Sequence, residues 1–223
     1  MTTAKSSLIV AVAMGAAAVS ATAPLSAQAW HYPSFQPPTI VTREFNFAVA
    51  GGSDVYGTTG IAQWREGIGP DTHLEFEIGF ADPGGAGNTG FIIGGGLGQR
   101  MMCATADLPL DMVFTGGLYG DFAGDRSFIR LPIGVSVGHR FALQGTRAAL
   151  IPYAHPRLSV DFCASDCRNI DTELKLNFDM GADFEVTRLL SLRGLITVGG
   201  VSAGDSEVGF GLGLAIRPTP LRR

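Results

Sequence analysis

The residues that could do chemistry sit on two-residue spacings. His155 and Ser159 fall two strand steps apart on one face of an extended segment, the side-chain types of a hydroxyl–imidazole couple. Asp161 and Asp166 follow, acids of the kind a hydrolytic rim would use. Neither pair carries a surrounding motif, and none of His31, His73, His139 and His155 has an obvious acid partner at that rim. Cys163 and Cys167 bracket a short polar loop and are expected to form a disulfide in an oxidising compartment. A metal site would need four ligands, and the loop offers these two thiols plus Asp166. Cys103, the third cysteine, is expected to be unpaired. Gly94-Gly-Gly-Leu-Gly98 is glycine-rich, but no helix follows to receive a phosphate. No cofactor and no metal is therefore expected.

Those side chains are carried by alternating segments. Leu174, Leu176, Phe178, Met180, Ala182, Phe184 and Val186 share one face, while Glu173, Lys175, Asn177, Asp179, Gly181, Asp183 and Glu185 share the other. A helix would scatter these charges around its circumference, whereas a strand segregates them. The pattern recurs at Phe45, Phe47 and Val49; at Leu74, Phe76, Ile78 and Phe80; at Ile129, Leu131 and Ile133; and at Val208, Phe210, Leu212 and Leu214. Ten strands are expected, near residues 42–50, 55–65, 72–82, 89–100, 108–119, 127–141, 148–162, 171–186, 189–199 and 207–217, with eight as the alternative count. The second and fourth have no clear face assignment. Segments of this length suit a tilted crossing of a bilayer better than the short strands of soluble sheets.

Composition agrees. Charged residues are 16% of the 223 and the net charge is -4, with no basic patch of the kind nucleic acid requires. Residues 1–29 read as a secretory signal peptide, with Lys5 before an apolar stretch and Ala27-Gln28-Ala29 at the cleavage point. Residues 30–41 are expected to be an extended periplasmic leader, 42–217 the barrel and 218–223 a short tail. A membrane-spanning sheet must close, because an open edge cannot be satisfied in lipid. The fold class is therefore all-β, a closed antiparallel transmembrane barrel.

Gly181-Ala-Asp-Phe-Glu-Val-Thr-Arg-Leu-Leu-Ser-Leu-Arg193 resembles the strand–periplasmic turn–strand unit of small, single-chain bacterial outer-membrane β-barrel proteins. Gly138-His-Arg-Phe141 and Ile151-Pro-Tyr153, flanking another turn, are similar. The resemblance covers the whole chain after the signal peptide and implies an outer-membrane location, a lipid bilayer around the barrel and handling by the outer-membrane assembly machinery. One departure is that the chain ends Arg217-Pro-Thr-Pro-Leu-Arg-Arg223 rather than in an aromatic residue.

Alternation places Glu75, Glu77, Asp111, Arg130, Arg140, Tyr153, His155, Arg157, Asp161, Glu173, Lys175, Asp179, Asp183, Glu185, Arg193, Glu207 and Arg217 inside the barrel. They either fill the lumen with ion pairs or line a narrow aqueous path. The expected function is a structural or narrow passive-channel role with no catalytic centre. One alternative is an outer-membrane barrel enzyme, a protease or a lipid-modifying enzyme working at the outer rim; the omptin proteases are also ten-stranded. The other is a soluble periplasmic ligand-binding barrel.

Overall fold

A computed structural model describes residues 35–52, 58–82, 89–124, 126–165, 172–202 and 205–218. The expected signal peptide, Asp166, Cys167 and residues 219–223 of the tail lie outside the described residues.

Ten strands form the expected closed antiparallel barrel. They are β1 Arg43–Gly52, β2 Thr58–Gly67, β3 Thr72–Asp82, β4 Gly90–Met102 and β5 Asp111–Ala123, then β6 Arg126–Gly138, β7 Ala149–Ser165, β8 Thr172–Glu185, β9 Leu190–Ser202 and β10 Asp205–Ile216. Each pairs with its sequence neighbours, and β1 pairs with β10 from Phe45↔Ile216 to Gly52↔Gly209, so no edge is left open. After a break at His139 and Arg140, β6 resumes for the two residues Phe141–Ala142, which pair with Leu150 and Ala149. The first and last strands meet at the same end, called here the terminal rim.

Alternation decides the two surfaces. Phe47, Val49, Phe80, Leu118, Leu174, Phe210 and Leu212 stand on the outer wall, more than half exposed. Between them Asn46, Glu77, His155, Asn177, Asp179 and Asp183 turn inward and are fully buried. A charged interior within an apolar exterior inverts the soluble arrangement and suits a lipid surround. Facing phenylalanines also touch along the outer wall, as Phe80 and Phe91 do across β3 and β4 with ring centroids 5.4 Å apart.

Some strands are shifted from their expected limits. The fifth begins at Asp111 rather than 108, because Pro109 has no amide hydrogen and residues 105–110 fold into a turn: Thr105 N donates to Leu108 O at 2.8 Å and Leu110 N to the same oxygen at 2.9 Å. At its other end the pairing continues through Asp121↔Phe128 to Ala123↔Arg126. The seventh strand runs 17 residues. The two strands without a face assignment now have one: Thr59, Ile61, Gln63 and Arg65 of β2 and Ile92 of β4 point inward, while Trp64, Phe91, Ile93 and Leu97 point outward.

Candidate functional site

The site is the lumen, and its terminal half is organised around Glu44 on β1. Arg193 of β9 donates to both Glu44 oxygens at 2.8 and 2.7 Å, Arg217 beyond β10 donates at 2.8 Å, and Arg65 of β2 at 3.3 Å. Asp183 on β8 shares two of these cations, accepting from Arg193 at 3.0 Å and from Arg217 at 2.8 Å. Two carboxylates and three guanidiniums thus cross the seam between the first and last strands. Charges removed from water are tolerated only when paired and hydrogen-bonded.

A second network centres on Asp179 of β8. Arg157 of β7 grips it with two bonds, at 2.8 and 3.1 Å. His155 Nδ1 lies 3.1 Å from the same carboxylate, and Thr197 of β9 donates to its other oxygen. His155 Nε2 is in turn 2.8 Å from Thr115 Oγ1 on β5. A hydroxyl, an imidazole and a carboxylate are therefore in line. Every member is buried, and the carboxylate is also engaged by Arg157. Further toward the other rim, Arg130 donates to both Asp161 oxygens at 2.6 and 2.5 Å, with Lys175 3.6 Å from the same carboxylate.

Inward glycines make room for rings. Tyr119 on β5 stands opposite Gly94 on β4, Tyr153 on β7 opposite Gly181 on β8, and His73 on β3 opposite Gly98 on β4. A Cβ on each glycine would come within 2.0, 2.4 and 2.5 Å of the facing ring. Each strand surrenders a side chain where its neighbour supplies a ring, the close approach that a strand glycine permits.

The leader occupies the lumen too. Phe35 is 1% exposed and Gln36 3%. The Phe35 ring lies over Gly211 and Gly213 of β10, where a Cβ would come within 2.7 and 3.5 Å of it. Arg65 donates to the Phe35 carbonyl, and Ser136 of β6 donates to the Gln36 carbonyl. The Gln36 amide donates to Glu75 at 2.6 Å and its oxygen accepts from Arg65 at 3.2 Å. Glu75 also accepts from Tyr119 at 2.9 Å and from Gln63 at 3.1 Å.

Most of the expected lumen residues lie where alternation put them: Glu75, Glu77, His155, Arg157, Asp161, Lys175, Asp179, Asp183 and Arg193 are buried inside, with Arg130 and Arg217 slightly more open. The side chains of Glu173 and Glu207 lie outside the described set. Two expectations need correction. Arg140 is a rim residue with its side chain 48% exposed, paired with Glu185, because the break at 139–140 takes it out of the ladder. Asp111 is also at the rim, where it accepts from the Ala104 amide at 3.0 Å and holds the turn before β5. Of the expected leader, residues 35–38 are buried in the barrel, with Phe35 over the β10 glycines and Gln36 bonded to Glu75 and Arg65. His155 meets Thr115 rather than Ser159, which pairs with Asn177. Cys103 is free and exposed, as expected. Cys163 lies near the end of β7, and its expected partner Cys167 lies outside the described residues.

Glu44, Arg65, Gln63 and Gln36 were missed. Carrying the β1 alternation one step back from Phe45 would have turned Glu44 inward. Fixing Trp64 outward would have done the same for Gln63 and Arg65.

No family model matches the chain, and no curated protein does. Among solved structures it is similar to a bacterial polysaccharide outer membrane secretin, with TM-score 0.48 and 8% identity over 73% of this chain; it spans 57% of that chain's length. It is also similar to LpxR from Salmonella typhimurium, with TM-score 0.46 and 9% identity, covering 78% of this chain and 99% of that one. The N-terminal β-barrel domain of Pseudomonas aeruginosa OprF gives TM-score 0.37 and 9% identity over 78% and 95%. These are likenesses of barrel shape, and no role is carried across from them.

Proposed function

We propose that the protein is an outer-membrane barrel with a structural, non-catalytic role and a closed lumen, its terminal rim facing the periplasm. The observation that carries this reading is the seating of Phe35 and Gln36 among Arg65, Glu75, Ser136 and the β10 glycines, within a lumen whose other charges are largely paired. The apolar outer wall supports residence in lipid. A narrow passive channel is the second reading, favoured by the polar residues that follow one another along the inner wall from Glu44 to Asp161.

Membrane fractionation, heat-modifiability on a gel and planar-bilayer recording test these readings together. The structural reading expects a heat-modifiable membrane protein that is electrically silent. Steady conductance from the intact chain would select the channel. Recovery as a soluble periplasmic protein would remove both.

A further inference from the structure

Three of the lumen's glycine hollows are filled by rings from the strand directly opposite. The hollow at Gly211 and Gly213 is different, because the residues opposite are Ala50 and Leu195 for Gly211 and Ala48 and Arg193 for Gly213. No strand supplies an aromatic there, and Phe35 of the leader fills it instead. The leader is fastened differently from every strand. The amides of Pro37 and Pro38 carry no hydrogen, and the segment meets the wall through two accepted carbonyl bonds, the Gln36 side chain, the Phe35 ring and the Pro38 ring over Gly138. Phe35 itself holds φ at 56°, a conformation that a bulky residue keeps only where its surroundings impose it. The charges below do not depend on this segment, since Glu44 and Asp183 are neutralised by Arg193 and Arg217. The groups it does cover, Arg65, Glu75 and Ser136, are ones that water can satisfy.

We propose that residues 35–41 are a removable plug, and that its withdrawal through the terminal rim opens an aqueous path for small ions. The joint is at Thr42, whose carbonyl is tied to Gly67 N at 2.9 Å where the leader meets the wall. This inference rests on the closed-lumen reading, and the two can fail separately.

The test uses the full chain carrying Cys103→Ser, the same chain lacking residues 30–40, and a full-length Phe35→Ser/Gln36→Ala variant in case the deletion does not assemble. Folding of each is checked by heat-modifiability, and each is recorded in planar bilayers with potassium chloride. The full chain should be silent, the deletion should conduct steadily, and the double variant should open intermittently. A second readout places Ser136→Cys beneath the leader and measures its labelling by a water-soluble maleimide. The full chain should protect that thiol by about tenfold or more relative to the deletion, as expected of a covered group that reacts through opening. Folded leader variants that stay silent would overturn the plug, as would a thiol equally reactive in both backgrounds. Labelling without conductance would also overturn it, since the leader would then line the wall without gating it. Conductance from the intact chain would instead overturn the closed-lumen reading on which the plug rests.

Discussion

The Glu44 and Asp179 networks are both buried, both built on carboxylates and arginines, and they do different work. Glu44 binds side chains up to 173 positions away in sequence and lies across the seam where β1 meets β10. Asp179 binds Arg157 and Thr197, 22 and 18 positions away, and links three consecutive strands. One carboxylate faces three guanidiniums; the other faces one guanidinium and an imidazole. A meander's consecutive hairpins can form locally, but its closure needs the most distant contact in the chain, the kind that is slow and entropically costly to make. The density of ion pairs at the seam is therefore placed where register has least help from sequence proximity.

Removing the charge at Glu44 should have the largest effect. Glu44→Gln keeps the shape but leaves Arg193, Arg217 and Arg65 with only Asp183, Glu75 and Glu185 to neutralise them. Breaking a buried pair by deleting one partner costs about 3–5 kcal/mol. Urea unfolding of the protein in lipid vesicles should show a loss of that order or a failure to assemble. If Glu44→Gln proves no worse than the matching change at Asp179, the seam has no special status.

The matching change is Asp179→Asn, for which a loss at the lower end of that same range is expected, about 3 kcal/mol, because it too breaks a buried pair. The amide oxygen can still accept from Thr197 or Arg157, and one guanidinium rather than three faces this carboxylate. The contrast sharpens in a double variant. Asp179→Asn with Arg157→Met removes the pair as a unit and should recover most of the loss, because an apolar replacement of a buried pair is often near neutral. No single second substitution can do this for Glu44, which has three cationic partners.

How far the sequence disclosed this lumen depended on whether a strand shows its face through side chains. β8 alternates without a break from Leu174 to Phe184, so Asp179, Asp183 and Lys175 could be placed directly. β4 could not be read this way: Gly94, Gly96 and Gly98 are inward positions that hold no side chain, and the rings of Tyr119 and His73 from the neighbouring strands occupy that space. The Phe35 site was hidden for a related reason. Gly211 and Gly213 announce a hollow, but their filler comes from a proline-containing segment with no period, nearly the whole barrel away in sequence. The order of ten strands was legible because hairpins are local. The Glu44 network and the leader were not, because each joins residues that no window of alternation contains together.

The smallest expected effect is at Arg140, which alternation had counted among the lumen charges. It pairs with Glu185 through Nε at 2.8 Å, a good bond by geometry alone, yet its side chain is 48% exposed while that of Arg193 is fully buried. In water-accessible surroundings the ion-pair gain is screened and offset by side-chain ordering, so such pairs contribute about 0–1 kcal/mol. Glu185 also keeps Arg217 at 2.7 Å when Arg140 is removed. Arg140→Ala should therefore leave assembly intact and shift the urea midpoint only slightly, and raising the salt concentration should erase the shift. The same salt should leave the Glu44→Gln defect in place, because buried pairs are screened much less. An Arg140→Ala loss that approaches that of Glu44→Gln and persists in high salt would mean that β6 continues unbroken through 139–140 and turns Arg140 into the lumen after all.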